Sequence, residues 1–419
     1  MGRFAQVFRA AVDADLLRGD RGWTSVGSVG PFVAGASTAS GRTVTFDNAL
    51  RNSAVWRAVV LKSSLLGMFP CRVYQELPNG SRRLASEHPN TRLLHWRPNP
   101  WQTPYQFRAM VEGHRITRGN AYVAIIRDRG GTVRSLVPLH PDRVRVVTDD
   151  QGMPRYDVAM RTGERPVRLG WMECLHLTGP SLEGFIGLSP IEHAAEAIGI
   201  AQAGEEYAAR VYSSGGAQRG ALVHKGPALS DAAKARLKEA WQAAYGPNSE
   251  AHRVAVLEED LDWKTLGVTP EQAQSLESRQ HQVIDIGRYW GIPPWLLFEH
   301  SKDTSWGSGI EQTNQAFLLY CMQPDLINWE QRMLLDLFDE SEIEAGYYPE
   351  FTVEVLLRGD MAARGAFYRV MREIGAYSVD DILAKENLPL VGGAGGSERC
   401  RPANWVPIGT PAGAGGNNE

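Results

Sequence analysis

The sequence predicts an α+β chain: a mixed body, two long helices, and a small α/β insert held between the far ends of those helices. Two matching helix starts carry this reading. One is Ser189-Pro190-Ile191-Glu192 and the other Thr269-Pro270-Glu271-Gln272. Each places a hydroxyl residue at the N-cap, proline at the first helical position and Glu or Gln at N3. Each segment then runs to a glycine stop, at Gly215-Gly216 after Ser214 and at Gly291 after Trp290, where a left-handed residue ends a helix. At 1.5 Å per residue these rods span roughly 37 and 31 Å. A body, a two-helix stalk and a tip suit a mechanical or assembly part better than an active-site pocket.

Residues 1–45 read as a flexible arm, because Gly22 to Gly41 is dominated by Gly, Ser, Ala and Thr. The body, 46–188, begins with a helix from Ala49 through Val55, Val59, Leu61 and Leu65, ending near Pro70. A strand at Cys71–Gln75, the turn Pro78-Asn79-Gly80 and a return strand make a hairpin. A helix at Pro104–Arg118 precedes strands at 121–127, 135–139 and 144–148, and Leu175-His176-Leu177 closes the body. The first rod spans 189–215. In the insert, 216–268, Gly220–His224 reads as a strand, and Ser230 caps a helix whose Ala233, Leu237, Trp241 and Ala244 form one stripe. Val254–Leu257 and Trp263–Val268 complete it. The second rod is 269–291. Residues 292–357 hold a polar loop, Glu299 to Gly309, and a helix from Ile310 to Phe338 that Pro324 kinks or breaks. A helical piece at 358–391, with Met361, Tyr368 and Met371 along it, precedes a disordered tail, 392–419.

Composition narrows the function. The chain has 419 residues, 43% hydrophobic and 22% charged, enough for two or three domains with real cores. A formal net charge of −4 argues against general affinity for phosphate backbones. No apolar run predicts a transmembrane helix, and Asp13, Asp15, Arg18, Asp20 and Arg21 interrupt any secretory pattern. Cys71, Cys174, Cys321 and Cys400 are far apart, which signals neither a disulfide framework nor zinc. A soluble protein made in the cytosol is the simplest expectation.

Catalytic motifs are missing. There is no P-loop, no H-E-x-x-H and no nucleophile elbow, since Gly187-Leu188-Ser189-Pro190 continues into a helix cap. The histidines are scattered, and His281 reads as a helix-surface residue. Asp380-Asp381 read as a helix start capped by Ser378, with Asp381 at N3. No cofactor or metal is expected. The first rod carries Ala194, Ala195, Ala197, Ala201, Ala203, Ala208 and Ala209 with Gly199 and Gly204, small residues that permit close helix approach. Two readings stand: a core helix of one domain, or a helix packed against copies of itself and the second rod in a ring.

The order of parts resembles the HK97-type portal proteins of tailed bacteriophages, over about residues 49–390. The resemblance rests on His88-Pro89 to Leu94-His95 with Pro98-Asn99-Pro100, and on Gly119-Asn120-Ala121-Tyr122. Pro138-Leu139-His140-Pro141 with Arg143-Val144, and Gly187-Leu188-Ser189-Pro190-Ile191, come next. Gly291-Ile292-Pro293-Pro294-Trp295-Leu296-Leu297, Glu311-Gln312, Phe317, Pro324, Leu388-Pro389 and Gly392-Gly393 complete the series. Ser-Val-Asp-Asp-Ile at 378–382 replaces the family's commoner Asn-Glu-Ile-Arg type of helix start.

The resemblance implies a portal fold with a mixed α/β wing, a two-helix stem, a small α/β clip, a kinked tunnel helix and a helical crown. It also implies assembly as a ring of about twelve at one capsid vertex. Double-stranded DNA would pass through non-specifically during packaging and ejection. The large terminase, which hydrolyses ATP, would dock on the clip at Lys234, Lys238, Asn248 and Glu250. A head-tail adaptor and the major capsid protein would be further partners, with no membrane involved. The location would be the virion, after synthesis in the bacterial host cytoplasm.

The DNA-facing tunnel loop would be Ser301, Lys302, Asp303, Thr304, Ser305 and Trp306, with Lys302 and Trp306 near the narrowest point. A channel that lets DNA slide should not hold phosphates firmly. The second rod is accordingly near neutral, with Glu271, Glu277 and Asp285 against Arg279 and Arg288. A ring needs a heterologous interface. The stem residues expected there are Ala194, Ala201 and Ala208 against Leu276, Val283, Gly287 and Trp290. Tryptophan at 201 or 208 should then block assembly without unfolding the subunit. The same scaffold could serve a gene-transfer particle or a defective prophage. The alternative from a different class is a monomeric nucleic-acid-modifying enzyme with an unrecognised site.

Overall fold

The computed structural model describes residues 35–159, 166–213, 220–224, 230–245, 261–265, 272–299, 309–353, 361–386 and 388–399. It divides into two units, 1–351 and 352–419.

The first unit opens on a short antiparallel pair, β1 (Ala36–Ser37) and β2 (Thr43–Val44), inside the stretch expected to be a flexible arm. Gly199 explains why the hairpin is held. An added Cβ there would lie 2.9 Å from Thr38 Cγ2, and Glu196 accepts the Ala39 N–H at 3.1 Å. The hairpin is seated on the small-residue face of the first rod.

The expected first helix is two: α1 (Phe46–Ala49), and α2 (Ser53–Met68), capped by Asn52 Oδ1 on the amides of Ala54 and Val55. Strands β3 (Cys71–Glu76) and β4 (Arg82–Leu84) make the predicted hairpin around Gly80, whose φ of +75° suits a tight turn. Helix α3 (Pro104–Arg118) starts with a full capping box between Thr103 and Gln106, and ends on Gly119 at φ +76°. It packs closely on α2.

Strands β5 (Asn120–Arg127) and β6 (Val133–Leu139) follow, then β7 (Val144–Thr148), β8 (Pro154–Val158), β9 (Val167–Leu169) and β10 (Cys174–Thr178). They form two three-stranded antiparallel sheets, ordered β10-β5-β6 and β7-β8-β9. Their facing side chains, including Tyr122, Val137, Leu139, Tyr156, Val158 and Leu169, form one buried cluster. Sequence pattern does not reveal β8 and β9, whose runs are only five and three residues long.

The first rod is α4 (Pro190–His193) and α5 (Ala195–Ser213), interrupted at Ala194, where ψ is 0° instead of the helical value near −42°. In the insert, β11 (Gly220–His224) pairs antiparallel with β12 (Leu261–Thr265), and α6 (Asp231–Tyr245) follows Ser230, which accepts the Ala233 amide. The second rod is α7 (Gln272–Arg288), packed on α5 and stopped by Gly291 at φ +64°.

The long helix expected at 310–338 is α8 (Gly309–Phe317), a π-helical turn at Leu318–Met322, and α9 (Gln323–Leu337). The break falls just ahead of Pro324, which supplies no N–H and crowds the carbonyl four residues back. Helix α10 (Glu340–Glu344) leads to a strand the sequence pattern does not reveal, β13 (Tyr347–Phe351), which pairs with β3 to give the order β13-β3-β4.

In the second unit, the expected helical piece holds α11 (Met361–Glu373) and α12 (Val379–Lys385). The Ser378–Asp381 capping box is the one the sequence predicts. The glycine run expected to begin the disordered tail forms a short helix instead, α13 (Gly393–Ser397). Asp380 organises that turn by accepting the amides of Val391 and Gly392. The Gly215-Gly216 stop, the Thr269-Pro270 start, Val254–Leu257 and Cys400 lie outside the described residues.

Candidate functional site where two long helices meet one helix end

An α-helix leaves its last four carbonyls without partners inside the helix. In α3 all four are satisfied, two of them by the two rods. Arg115 O accepts the Gly119 N–H at 2.8 Å, and Arg118 O accepts from Asn120 Nδ2 at 3.3 Å. Thr117 O accepts from the Ser189 hydroxyl at 2.9 Å, at the start of the first rod. Ile116 O accepts from Trp290 Nε1 at 2.9 Å, at the end of the second. Ser189 also accepts the Glu192 amide at 3.2 Å, so one side chain both caps α4 and ties it to α3.

The approach is close because glycine permits it. An added Cβ at Gly119 would collide with Leu188 O, and one at Gly187 with Gly119 O. Asn120 clasps the backbone of Gly187 in both directions: Nδ2 donates to Gly187 O and Oδ1 accepts the Gly187 N–H, each at 2.8 Å. His176 Nε2 donates to that same Oδ1 at 3.0 Å, and Tyr156 OH donates to His176 Nδ1 at 3.3 Å. Burial first, and then Arg332, push the His176 pKa down to about 3, so the ring is neutral and the polar chain keeps one direction. The segments Gly119-Asn120-Ala121-Tyr122 and Gly187-Leu188-Ser189-Pro190, picked out separately in the sequence, meet here.

A charged seat lies on the same helix. Arg115 of α3 pairs with Glu112 at 2.6 Å and with Asp325 of α9 at 2.6 Å, and Lys62 of α2 reaches Asp325 at 2.7 Å. Trp329 Nε1 donates to Glu112 at 3.0 Å. Glu112 is fully buried, and Lys62 and Arg115 nearly so. Two cations and two anions balance, which makes burial tolerable. Despite the cost of its burial, the two cations hold the Asp325 carboxyl below the usual carboxylate range. Asn328 Nδ2 adds a bond to Thr178 O at 2.8 Å. Cys321, in the π turn, donates its thiol proton to Gly291 O, just past the end of α7.

The structure redistributes the predicted rod-interface residues. Ala194, Ala201 and Trp290 are at most 4% exposed within a single subunit. Gly287 is buried too, and an added Cβ there would strike Leu297. These four pack inside the single subunit, with Gly287 against Leu297 and Trp290 bonded to Ile116 O. Tryptophan at 201 would therefore disturb the subunit itself. Ala208 and Val283 are half-buried, and the Leu276 side chain lies outside the described residues. Lys234 and Lys238 are exposed on α6, Lys234 pairing with Asp231 at 3.1 Å. Asn248, Glu250 and the whole loop Ser301–Trp306 lie outside the described residues. His281 is exposed, as expected. Among the described residues no His, Cys, Asp or Glu group could hold a metal ion, and no helix is long and apolar enough to cross a membrane.

With rods, body and broken helix in place, similarity to known proteins becomes decisive. A family model described as phage portal protein matches residues 53–387. The chain belongs to the phage portal protein family. It is 33% identical to the portal protein of Enterobacteria phage HK97 over 365 residues, 86% of this chain and 83% of that one. It is 32% identical to the probable portal protein of Streptomyces phage phiC31 over 391 residues, 90% and 83% of the respective chains. The fold is shared with an HK97-family portal protein from Corynebacterium diphtheriae. There the TM-score is 0.54 at 20% identity, over 74% of this chain and 96% of that one. A chain from the neck of an empty gene transfer agent particle, computed with C6 symmetry, gives 0.57 at 23% identity, over 82% and 94%. The portal family is a structural one.

Proposed function

We propose that this portal chain assembles into a ring of about twelve copies at one capsid vertex. The ring is the channel for DNA packaging and ejection, and the platform for the large terminase and the head-tail adaptor. The observation that carries the reading is the family match, which runs unbroken through body, both rods and the broken helix. Two of the fold's neighbours are necks of gene transfer agent particles computed with C6 and C12 symmetry, which supports twelvefold order. The rods 189–215 and 269–291 act as the stem, 216–268 as the clip, 46–188 as the wing and 358–391 as the crown. The loop Ser301–Trp306 faces the DNA.

Rooting both stem helices on one helix end makes each subunit's stem a rigid pair. Its outer rows supply the contacts between subunits. Ile200 and Tyr207, on the same rod as Ala208, are 49% and 72% accessible and await a neighbour. The near-neutral second rod, with Asp285 paired to Arg288 at 3.0 Å, gives a passing phosphate backbone little to grip. Lys234 and Lys238 on the exposed face of α6 offer charges to the terminase.

Native mass spectrometry and face-on electron-microscope averages of the purified chain test the ring. Twelve copies of 46.2 kDa give about 554 kDa and a central hole. A stable 46.2 kDa monomer at high concentration that turns over DNA would overturn the reading in favour of an enzyme.

A further inference from the structure

The loop that joins β10 to the first rod, residues 179–187, holds large apolar side chains outward on a rigid frame. Leu182 is 87% exposed, and Phe185 and Ile186 are exposed beside it in the chain. The Ser181 hydroxyl donates to Ile186 O at 2.6 Å and accepts the Gly184 N–H at 2.9 Å, while Gly184 turns at φ +83°. At the base, the Leu188 N–H donates to Pro180 O and the Gly179 N–H to Gly119 O, each at 2.7 Å, which ties the loop to the end of α3. A loop ordered by its own bonds has already met much of the entropy cost of binding. Apolar tips fixed in solvent gain free energy only when a partner covers them. The loop's one charge, Glu183, has no hydrogen bond or ion pair among the described residues.

A second uncovered surface lies past the end of the second rod. Phe298 is 71% exposed and sits at φ +62°, the one non-glycine residue at positive φ among the described residues. A strained backbone that turns a large ring to solvent is a feature of contact sites. Arg57 of α2 lies over that ring at 4.8 Å and donates its Nε–H to Leu296 O at 3.0 Å. No carboxylate pairs with Arg57 among the described residues, and Trp56, one position earlier, is exposed. This platform is also tied to the end of α3, because Trp290 bonds Ile116 O and Leu297 packs at Gly287. A cyclic ring joins one patch to a different patch on the next copy. Copies related by rotation alone meet at one level, and two patches rooted on one helix end are close in level. Apolar tips with an unpaired carboxylate on the loop match an aromatic face with an unpaired cation on the platform. We infer that the 179–187 loop of each subunit docks on the Arg57–Phe298 platform of the next copy, with Glu183 paired to Arg57. The inference rests on the ring reading above and names the surfaces by which its members meet at the root of the rods.

The test is disulfide trapping in the full chain. A variant with both Leu182→Cys and Phe298→Cys, oxidised after assembly, should run on a denaturing gel as a ladder of multiples of 46.2 kDa. Each single variant should stay at the monomer mass. Charge reversal is the second measurement, since Glu183 is exposed and its replacement leaves the fold intact. Glu183→Arg alone should raise the concentration for half-assembly about tenfold or more, and adding Arg57→Glu should restore it. Rings that form without a ladder, or with assembly unchanged by Glu183→Arg, overturn the docking and leave the ring reading standing. A chain that stays monomeric at high concentration overturns both.

Discussion

The two places where α3 receives other helices are held by opposite chemistry. At its C-terminal end, Ser189, Trp290 and Asn120 bind the rods through neutral hydrogen bonds to backbone carbonyls, with glycines allowing contact. On its flank, Arg115, Glu112, Lys62 and Asp325 seat α9 through buried charge. Neutral bonds to carbonyls fix direction at modest cost when one is lost. A balanced ion cluster stabilises little as a whole, yet is severely destabilised when one member goes. The root of the two rods is therefore a positioning joint, and the α9 seat an all-or-none latch.

The sharpest way to break this contrast is Asp325→Ala, which strands Lys62 and Arg115 without their shared partner. It should cost about 3–5 kcal/mol in denaturant unfolding of the subunit. Loss below about 1 kcal/mol would mean the cluster is solvated and is no latch. Next is Gly119→Ala, which combines an unfavourable left-handed φ with a collision at Leu188 O. It should cost about 3 kcal/mol by the same measurement, and tilt the two rods in any assembled particle.

Acid should then strain the root before the latch. His176 has a folded pKa near 3, below the value near 6.5 expected when unfolded, so the unfolded chain binds the extra proton. Stability from this group is complete above pH 6.5 and falls as pH drops toward 3. The loss is about 2 kcal/mol by about pH 5. The buried His114, also pushed down to about 3, adds a second contribution of the same sign. His176→Gln should remove about half of the slope in a pH series of melts, and an unchanged slope would clear His176. Asp325, held low by its partners, loses stability only in more acidic solution.

Trp290→Phe keeps the packing and removes one bond to a buried carbonyl, for about 1–2 kcal/mol. Its effect should be larger on ring geometry than on subunit melting. Smallest of all, Lys234→Ala should shift subunit stability by less than about 0.5 kcal/mol, since its pair with Asp231 is exposed. Terminase binding, measured by pull-down, should weaken in that variant. Unchanged binding would move the docking site off this face of α6.

The contrast also explains which parts are legible in the sequence. The root of the rods uses groups whose chemistry is local: proline at N1, a capping serine, glycine at a helix stop. Ser189, Gly119-Asn120 and Trp290-Gly291 each stand out by residue type and spacing, although nothing in their spacing shows that they meet. The latch draws on residues 62, 112, 115 and 325; Glu112 and Arg115 are spaced i, i+3 on α3, but no spacing rule links that pair to Lys62 or Asp325, whose positions are set by packing across the body. The short strands β8, β9 and β13 escape notice because three to five residues carry too little periodicity. Residues 36–44 are the instructive error. Thr38, Ala39 and Ser40 have linker composition, yet Gly199 and Glu196 provide a seat for them. Around Gly199 the first rod resembles a surface for another subunit because the segment seated there, Thr38–Ser40, has the composition of a flexible arm. Pro324, by contrast, marks the break in the long helix on its own.

The most direct test of the account is a cryo-electron-microscopy map of the assembled particle, resolved well enough to place side chains. The account predicts a closed ring of about twelve subunits, with residues 301–306 lining the lumen. Within each subunit, Ser189 and Trp290 would be bonded to the carbonyls of Thr117 and Ile116. Subunits that form no ring, or a ring whose two long helices leave the body from separate places, would contradict it.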